Sequence, residues 1–103
     1  MQDFRKVQVW QKAHSLTLRT YALSGNFPKT EMFGLTTQFR RAAISVPSNI
    51  AEGCSRGDAA PFANHLRIAR GSAGEVEYYA ILAADLGFLG KETALTYRRM
   101  PLK

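Results

Sequence analysis

The sequence contains a single cysteine, Cys54, and this scarcity limits the kind of protein it can be. One thiol cannot form an intramolecular disulfide, so a secreted disulfide-bonded scaffold is excluded. The sequence also lacks an apolar run of about 18 residues, the length that a membrane-spanning helix needs. Residues 1–30 have the sparsely acidic, Ser- and Thr-containing composition of an organellar transit peptide, but Trp10, Leu16 and Leu23 favour a packed helix there. We therefore expect a cytoplasmic protein with no membrane partner.

Residues suited to enzyme chemistry are also scarce. The two histidines, His14 and His65, fall on different predicted helices, and no Glu-x-x-His pair of a di-iron bundle occurs. A nucleophilic pair of Cys54 with His65 is conceivable. However, a cysteine near a helix C-terminus lies at the wrong end of the helix dipole for a stable thiolate, so a small packing residue is favoured. We predict no catalytic residues, no metal site, no cofactor and no enzyme activity.

Acidic residues are outnumbered by basic ones. Eight Asp and Glu stand against fourteen Lys and Arg, which gives a net charge of +6 and a sequence pI near 9.9. Such a balance suits a polyanionic partner, either RNA or DNA or an acidic protein. Many small basic domains carry this charge only for solubility, so the charge alone leaves both interpretations open.

The apolar periodicity predicts an all-α protein, an antiparallel up-down four-helix bundle in one domain over residues 1–103. Helices are expected at about 5–24, 30–55, 58–87 and 91–100, with a short fourth helix that Pro101 ends. Thr30 and Asp58 are predicted to cap the second and third helices. The weak helix formers at 71–74 are expected where a neighbouring backbone comes close.

The second predicted helix contains the densest basic run and a proline. One apolar face comprises Leu35, Phe39, Ala42, Ala43, Val46 and Ile50. Because Pro47 has no amide hydrogen, it should kink this helix or restart it with Ser45 as a cap. Pro47, Asn49, Glu52 and Glu75 are predicted to be structural or interface residues.

Five arginines are the candidate nucleic-acid contacts. If the second and third helices form an antiparallel hairpin that turns near residue 57, these arginines fall into two sets according to the residues they face. Arg40 and Arg41 would lie level with Glu75 and Glu77, which favours an ion pair within or between subunits over a contact with nucleic acid.

The other set comprises Arg56, Arg67 and Arg70, which would have no carboxylate nearby. Contact with phosphate and simple exposure to solvent are equally compatible with these positions, since only a contiguous patch releases enough counterions to drive binding.

Two long motifs resemble a known bacterial family. Residues 34–53 read Gly-Leu-Thr-x-Gln-x-Arg-Arg-Ala-Ala-x-Ser-Val-Pro-x-Asn-Ile-Ala-Glu-Gly, and residues 66–75 read Leu-Arg-Ile-Ala-Arg-Gly-Ser-x-x-Glu. Together with shorter matches at 3–10 and 85–89, they resemble the 23S ribosomal RNA intervening-sequence proteins. The resemblance implies a four-helix bundle with a fourth helix longer than the one expected here, and assembly into a ring-shaped homopentamer.

The same resemblance extends to an accessory protein of diversity-generating retroelements, which binds nucleic acid and a polymerase. It implies a non-enzymatic, oligomeric RNA- or DNA-binding accessory scaffold. The alternative is a protein-interaction scaffold that binds a partner helix or a polymerase without touching nucleic acid.

Overall fold

A computed structural model describes residues 2–98 and contains four α-helices. A short 3-10 turn at Phe4–Lys6 precedes α1 (Gln8–Ser24), and a second 3-10 turn at Lys29–Glu31 precedes α2 (Leu35–Arg56). The chain continues through α3 (Ala59–Asp85) into the short α4 (Lys91–Leu95). No β-strand occurs in this range, so the all-α prediction is confirmed.

The core is built around α2, which packs against α1 and α3, while α4 packs against α3. The whole predicted apolar face of α2 is buried, and Phe39, Ala43, Val46 and Ile50 are fully inaccessible to solvent. Small residues of α3, among them Ala69, Val76, Ala80 and Ala83, complete this core. Small side chains let two helices approach closely, which suits the long contact between α2 and α3.

Two helix boundaries differ from those expected by about five residues, and the others by three or fewer. The second helix begins at Leu35 and not at residue 30, because residues 29–31 form a separate 3-10 turn. Thr30 is therefore not its cap; the amide of Leu35 donates to Oε1 of Glu31 at 3.2 Å instead. The fourth helix ends at Leu95, and the predicted end at residue 100 and the stop at Pro101 lie outside the described residues.

Pro47 lies inside an uninterrupted α2, so the predicted restart with Ser45 as a cap is wrong. A helical proline leaves the carbonyl four residues earlier, here that of Ala43, without its amide donor. The hydroxyl of Thr17 on α1 lies 2.9 Å from that oxygen and 3.0 Å from the carbonyl oxygen of Ala13 in its own helix, so its single proton has two acceptors within hydrogen-bond distance. A neighbouring helix thus places a hydroxyl donor beside the carbonyl that the proline leaves without its amide partner.

The glycines at 71 and 74 do not mark a close approach within the chain. A Cβ at either position would meet no atom within 4 Å, whereas Ser72 and Ala73 between them are buried. Four consecutive helical residues point in different directions, so one packing argument does not apply to all four. The close approach is at Gly53, where a Cβ would lie 2.8 Å from Cδ1 of Phe62 and 3.2 Å from Cβ of His65.

Candidate nucleic-acid interface

Arg67 and Arg70 lie on an exposed part of α3. Nη1 of Arg67 donates to Oδ1 of Asn64 at 3.1 Å. Among residues 2–98, no carboxylate approaches either guanidinium within 4.0 Å. Both guanidiniums can therefore accept an anionic partner from solution.

Arg56 is also exposed, but it has a partner within its own helix. Its Nη2 lies 3.1 Å from Oε2 of Glu52, one helical turn earlier. The expectation that Arg56 lacks a nearby carboxylate is therefore wrong. The spacing of four residues between Glu52 and Arg56 predicts this ion pair on a helix. Exposed pairs of this kind contribute about 1 kcal/mol or less, so a phosphate can compete for Arg56.

Arg40 connects two helices through two of its guanidinium nitrogens. Its Nε donates to Oγ of Ser24 at 2.8 Å, and its Nη2 donates to the carbonyl of Tyr21 at 3.4 Å. The guanidinium carbon lies 4.7 Å from the centre of the Tyr21 ring, a cation–π distance. Arg40 thus holds the C-terminal end of α1 against α2.

Arg41 is exposed and borders a depression of about 300 Å³ between α2 and α3. Glu75, Ser45 and Ser72 also line this depression. No pair of Arg40 or Arg41 with Glu75 or Glu77 lies within 4.0 Å in the described part of the chain. The ion pair expected within the chain does not form there.

A chain of polar contacts, the polar ladder, joins α2 to α3 and comprises Ser45, Asn49, Glu52, His65 and Ser72. Ser72 Oγ donates to Ser45 Oγ at 2.7 Å, and Asn49 Nδ2 donates to the Ser45 carbonyl at 2.8 Å. Oδ1 of Asn49 lies 3.1 Å from Nδ1 of His65, whose Nε2 is 3.7 Å from Glu52. Such a network fixes the register of two helices.

The sequence predicts Asn49 and Glu52 as structural residues, but it did not lead us to His65 and Ser72 as members of the polar ladder. The signal is the spacing of polar residues at 45, 49 and 52 on α2 and at 65 and 72 on α3. Each set falls on one helix face.

An apolar groove runs between the start of the chain and α2, with a volume of about 290 Å³. Its lining includes Phe4, Trp10, His14, Ile44 and Pro47. The Trp10 ring stacks on His14 at 4.9 Å and meets Phe4 edge-on at 5.0 Å. Ile44 is 41% exposed, so an apolar group from outside can reach the groove. Sequence reasoning did not identify this groove.

Cys54 is buried, and that burial raises the pKa of its thiol, which lowers the thiolate fraction at neutral pH. Across residues 2–98, no three His, Cys, Asp or Glu side chains gather as they would around a metal ion. Over the same range, no helix is both long enough and apolar enough to cross a bilayer.

The family comparison covers almost the entire chain. Residues 5–100 match the profile of the 23S rRNA-intervening sequence protein family, which confirms the resemblance seen in the motifs. A search among curated proteins found no match. A match over this length shows membership, so the chain belongs to the 23S rRNA-intervening sequence protein family.

Proposed function

We propose that the protein is a non-enzymatic, self-associating accessory protein that binds RNA or DNA through its phosphates. The observation that carries this proposal is the exposure of Arg67 and Arg70 without a carboxylate partner in the described residues, on a chain of net charge +6. Guanidinium groups in this state can bind phosphate oxygens in a bidentate manner. The lone buried Cys54 suits a reducing cytoplasm.

The helices run up and down in an antiparallel bundle in this proposal. Three contacts support the arrangement of α2 and α3: Gly53 lies against Phe62, Asn49 against His65 and Ser45 against Ser72. Residue numbers fall along α2 while they rise along α3, as in an antiparallel hairpin. On the other side, Thr17 contacts Ala43 and Ser24 contacts Arg40, which supports the same relation between α1 and α2.

The candidate phosphate contacts are not equivalent. Arg67 and Arg70 form the main site, and Arg56 joins them by exchanging its weak pair with Glu52 for a phosphate. Arg41 is exposed and available as a further contact, whereas Arg40 serves chiefly to join α1 and α2. In a homopentamer, the assembly that the family resemblance implies, five copies of a weak site would act together and raise the avidity.

The test measures binding to structured RNA and to duplex DNA over a salt series, with the mass of the protein determined alongside. The double variant Arg67→Glu/Arg70→Glu should bind both nucleic acids more weakly. Its log–log salt slope should fall by about one for each phosphate contact removed. A matched control, Lys12→Glu/Lys91→Glu, makes the same change of charge at exposed positions on α1 and α4 and should retain more of the affinity.

An unchanged affinity in the arginine variant, with the fold retained, would refute the assignment of this site. The second candidate function, a scaffold for a partner helix or a polymerase, is favoured by the apolar groove at Trp10 and Ile44. It predicts no binding to nucleic acid at low salt, and binding of the protein partner that barely responds to salt.

A further inference from the structure

The depression of about 300 Å³ between α2 and α3 is lined mainly by polar side chains. They come from one face of each helix, at steps of three or four residues: Gln38, Arg41 and Ser45 from α2, and Ser72, Glu75 and Tyr79 from α3. Ligand pockets in proteins have volumes of about 300–1,000 Å³. The depression is therefore large enough to receive one small planar group.

The two charged residues of the depression have opposite signs and are not paired. Arg41 and Glu75 are both exposed, and neither has an ion-pair partner within 4.0 Å among residues 2–98. The guanidinium offers a planar fork of donors, whereas the carboxylate only accepts. Because a carboxylate repels phosphate, Glu75 does not serve the phosphate contacts of the proposed function. Together the two groups suit a planar ligand that presents acceptors beside donors.

Two hydroxyl groups form the recessed part of the lining, since Ser72 is buried and Ser45 is half-buried. Ser72 Oγ donates to Ser45 Oγ at 2.7 Å, and Asn49 Nδ2 donates to the same oxygen at 3.1 Å. The two hydroxyls carry two protons, and the bond between them uses only one. Among residues 2–98, the other proton has no acceptor within hydrogen-bond distance, so it is free to donate to a ligand.

Guanine is the nucleic-acid base whose edges match the two charged groups. Its O6 and N7 are adjacent acceptors that an arginine contacts in a bidentate manner. Its N1–H and N2–H₂ groups are adjacent donors, and one carboxylate can accept from both. Adenine, cytosine and uracil do not present two adjacent N–H donors of this kind. The ring of Tyr79 also lines the depression, and an unpaired base can stack on such a ring.

We propose that the depression binds an unpaired guanine of a single strand, with Arg41 on O6 and N7 and Glu75 on N1–H and N2–H₂. This site rests on the proposed function and deepens it, because phosphate contacts alone carry no base preference. Arg67 and Arg70 precede Glu75 by eight and five residues, about 12 and 8 Å along the helix axis. A strand whose phosphates contact these arginines therefore passes near the depression. In a duplex, N1 and N2 of guanine are already paired with cytosine, so the preference should be confined to single strands.

Guanosine and inosine monophosphates test the carboxylate contact, since inosine differs only by lacking the N2 amino group. In an NMR titration of the isotope-labelled protein, guanosine monophosphate should shift the amide signals of Ser45 and Ser72. It should bind at least about tenfold more tightly than inosine monophosphate, as expected for one hydrogen bond to a charged acceptor.

Glu75→Gln replaces one acceptor oxygen with an NH₂ group that faces a donor of guanine. The ratio of the two affinities should then fall below about threefold. The matched control, Glu92→Gln, removes one negative charge at an exposed position on α4 and should keep the wild-type ratio. Circular dichroism verifies that each variant is folded.

A third nucleotide, 7-deazaguanosine monophosphate, tests the contact with Arg41 because carbon replaces the N7 acceptor. It should bind the wild type at least about threefold more weakly than guanosine monophosphate, since one acceptor of the bidentate pair is lost. In Arg41→Gln, the difference between these two nucleotides should disappear. A difference that persists in this variant would overturn the assignment of Arg41.

Single strands of uridine that contain one guanosine or one inosine extend the test to the proposed ligand. The guanosine strand should bind more tightly, and Glu75→Gln should abolish the difference while leaving the salt slope unchanged. Equal affinity of the wild type for the two strands, or for guanosine and inosine monophosphates, would overturn the proposal.

The outcome is separable from that of the phosphate test. Arg67 and Arg70 do not line the depression, so Arg67→Glu/Arg70→Glu should weaken the binding of strands without changing the preference for guanosine monophosphate. A protein that binds strands without preferring guanine would refute this site and leave the proposed function standing. A protein that binds no strand but discriminates the nucleotides through Glu75 would refute the proposed function and assign the depression to a free guanine nucleotide.

Discussion

Replacing Thr17 with valine tests how the chain accommodates a proline in the middle of α2. Pro47 cannot donate to the carbonyl of Ala43, whereas Thr17 Oγ1 on a neighbouring helix lies 2.9 Å from that oxygen and 3.0 Å from the Ala13 carbonyl. We expect its single proton to go to Ala43, because that carbonyl has lost its amide donor. Both Ala43 and Thr17 are buried, so water does not readily replace that hydroxyl. Valine has nearly the same shape as threonine, and the substitution therefore removes the hydrogen bond while leaving the volume of the core almost unchanged.

The expected cost follows from the buried carbonyl that is left without a donor, about 1–3 kcal/mol. For a domain of this size, that loss lowers the melting temperature by roughly 4–8 °C for each kcal/mol. In the Pro47→Ala background, residue 47 regains an amide hydrogen that can donate to Ala43. The Thr17→Val substitution should then cost much less, which gives a coupling energy of about 1 kcal/mol or more.

The assay is a double-mutant cycle of Thr17→Val and Pro47→Ala, followed by urea unfolding of all four proteins. Thr20→Val is the matched control, because the Thr20 hydroxyl contacts the Leu16 carbonyl and the Tyr97 hydroxyl and not α2. Its effect should be the same with Pro47 and with Ala at that position. If Thr17→Val costs the same free energy in both backgrounds, the hydroxyl does not compensate for the proline and the reasoning is wrong.

Two further predictions concern stability. Gly71→Ala should raise the free energy of unfolding by up to about 1 kcal/mol, because the site is open. Gly53→Ala should lower it by about 1–3 kcal/mol, less the gain in helix propensity, because its Cβ would overlap Phe62. Thermal unfolding in dilute solution compares the two, and equal signs would contradict the glycine contacts. Burial raises the pKa of Tyr97 above its usual 10.0, so the stability it contributes below that pH is lost as the pH rises through the folded-state pKa. Tyr97→Phe should unfold less readily than the wild type in an alkaline titration followed by circular dichroism, and identical alkaline transitions would argue against ionisation of Tyr97 as a cause.

Apolar periodicity was sufficient to predict the buried face of α2, because the spacing of Phe39, Val46 and Ile50 depends only on helix geometry. The start of α2 was not predictable in this way. The ring of Phe27 lies 5.9 Å from that of Phe39 and 5.8 Å from that of Phe88. These contacts join residues far apart in the sequence, and they hold the segment before α2 in place. Local cap signals such as Thr30 do not contain that information.

The same distinction applies to the candidate site. The hairpin geometry predicts that Arg41 and Glu75 lie level, and both border one depression. Whether two level residues touch depends on the direction of each side chain around its helix, which the numbering alone does not specify. Arg40 illustrates the point further, since its partners lie at the end of α1 and require the register between α1 and α2.

Substitutions within the family signature at residues 34–53 and substitutions on the exposed part of α3 around Arg70 and Glu75 should have different consequences. Within the signature, Pro47 depends on Thr17, Asn49 belongs to the polar ladder, and Arg40 holds the end of α1. Substitutions at these three positions should change stability first, so a loss of binding in such a variant would not identify a contact residue. Arg70 and Glu75 make no ion pair within the described residues and lie in the open, so their substitution should leave the fold intact. Because a binding defect there would report the surface itself, α3 and not the signature is the place to look for function.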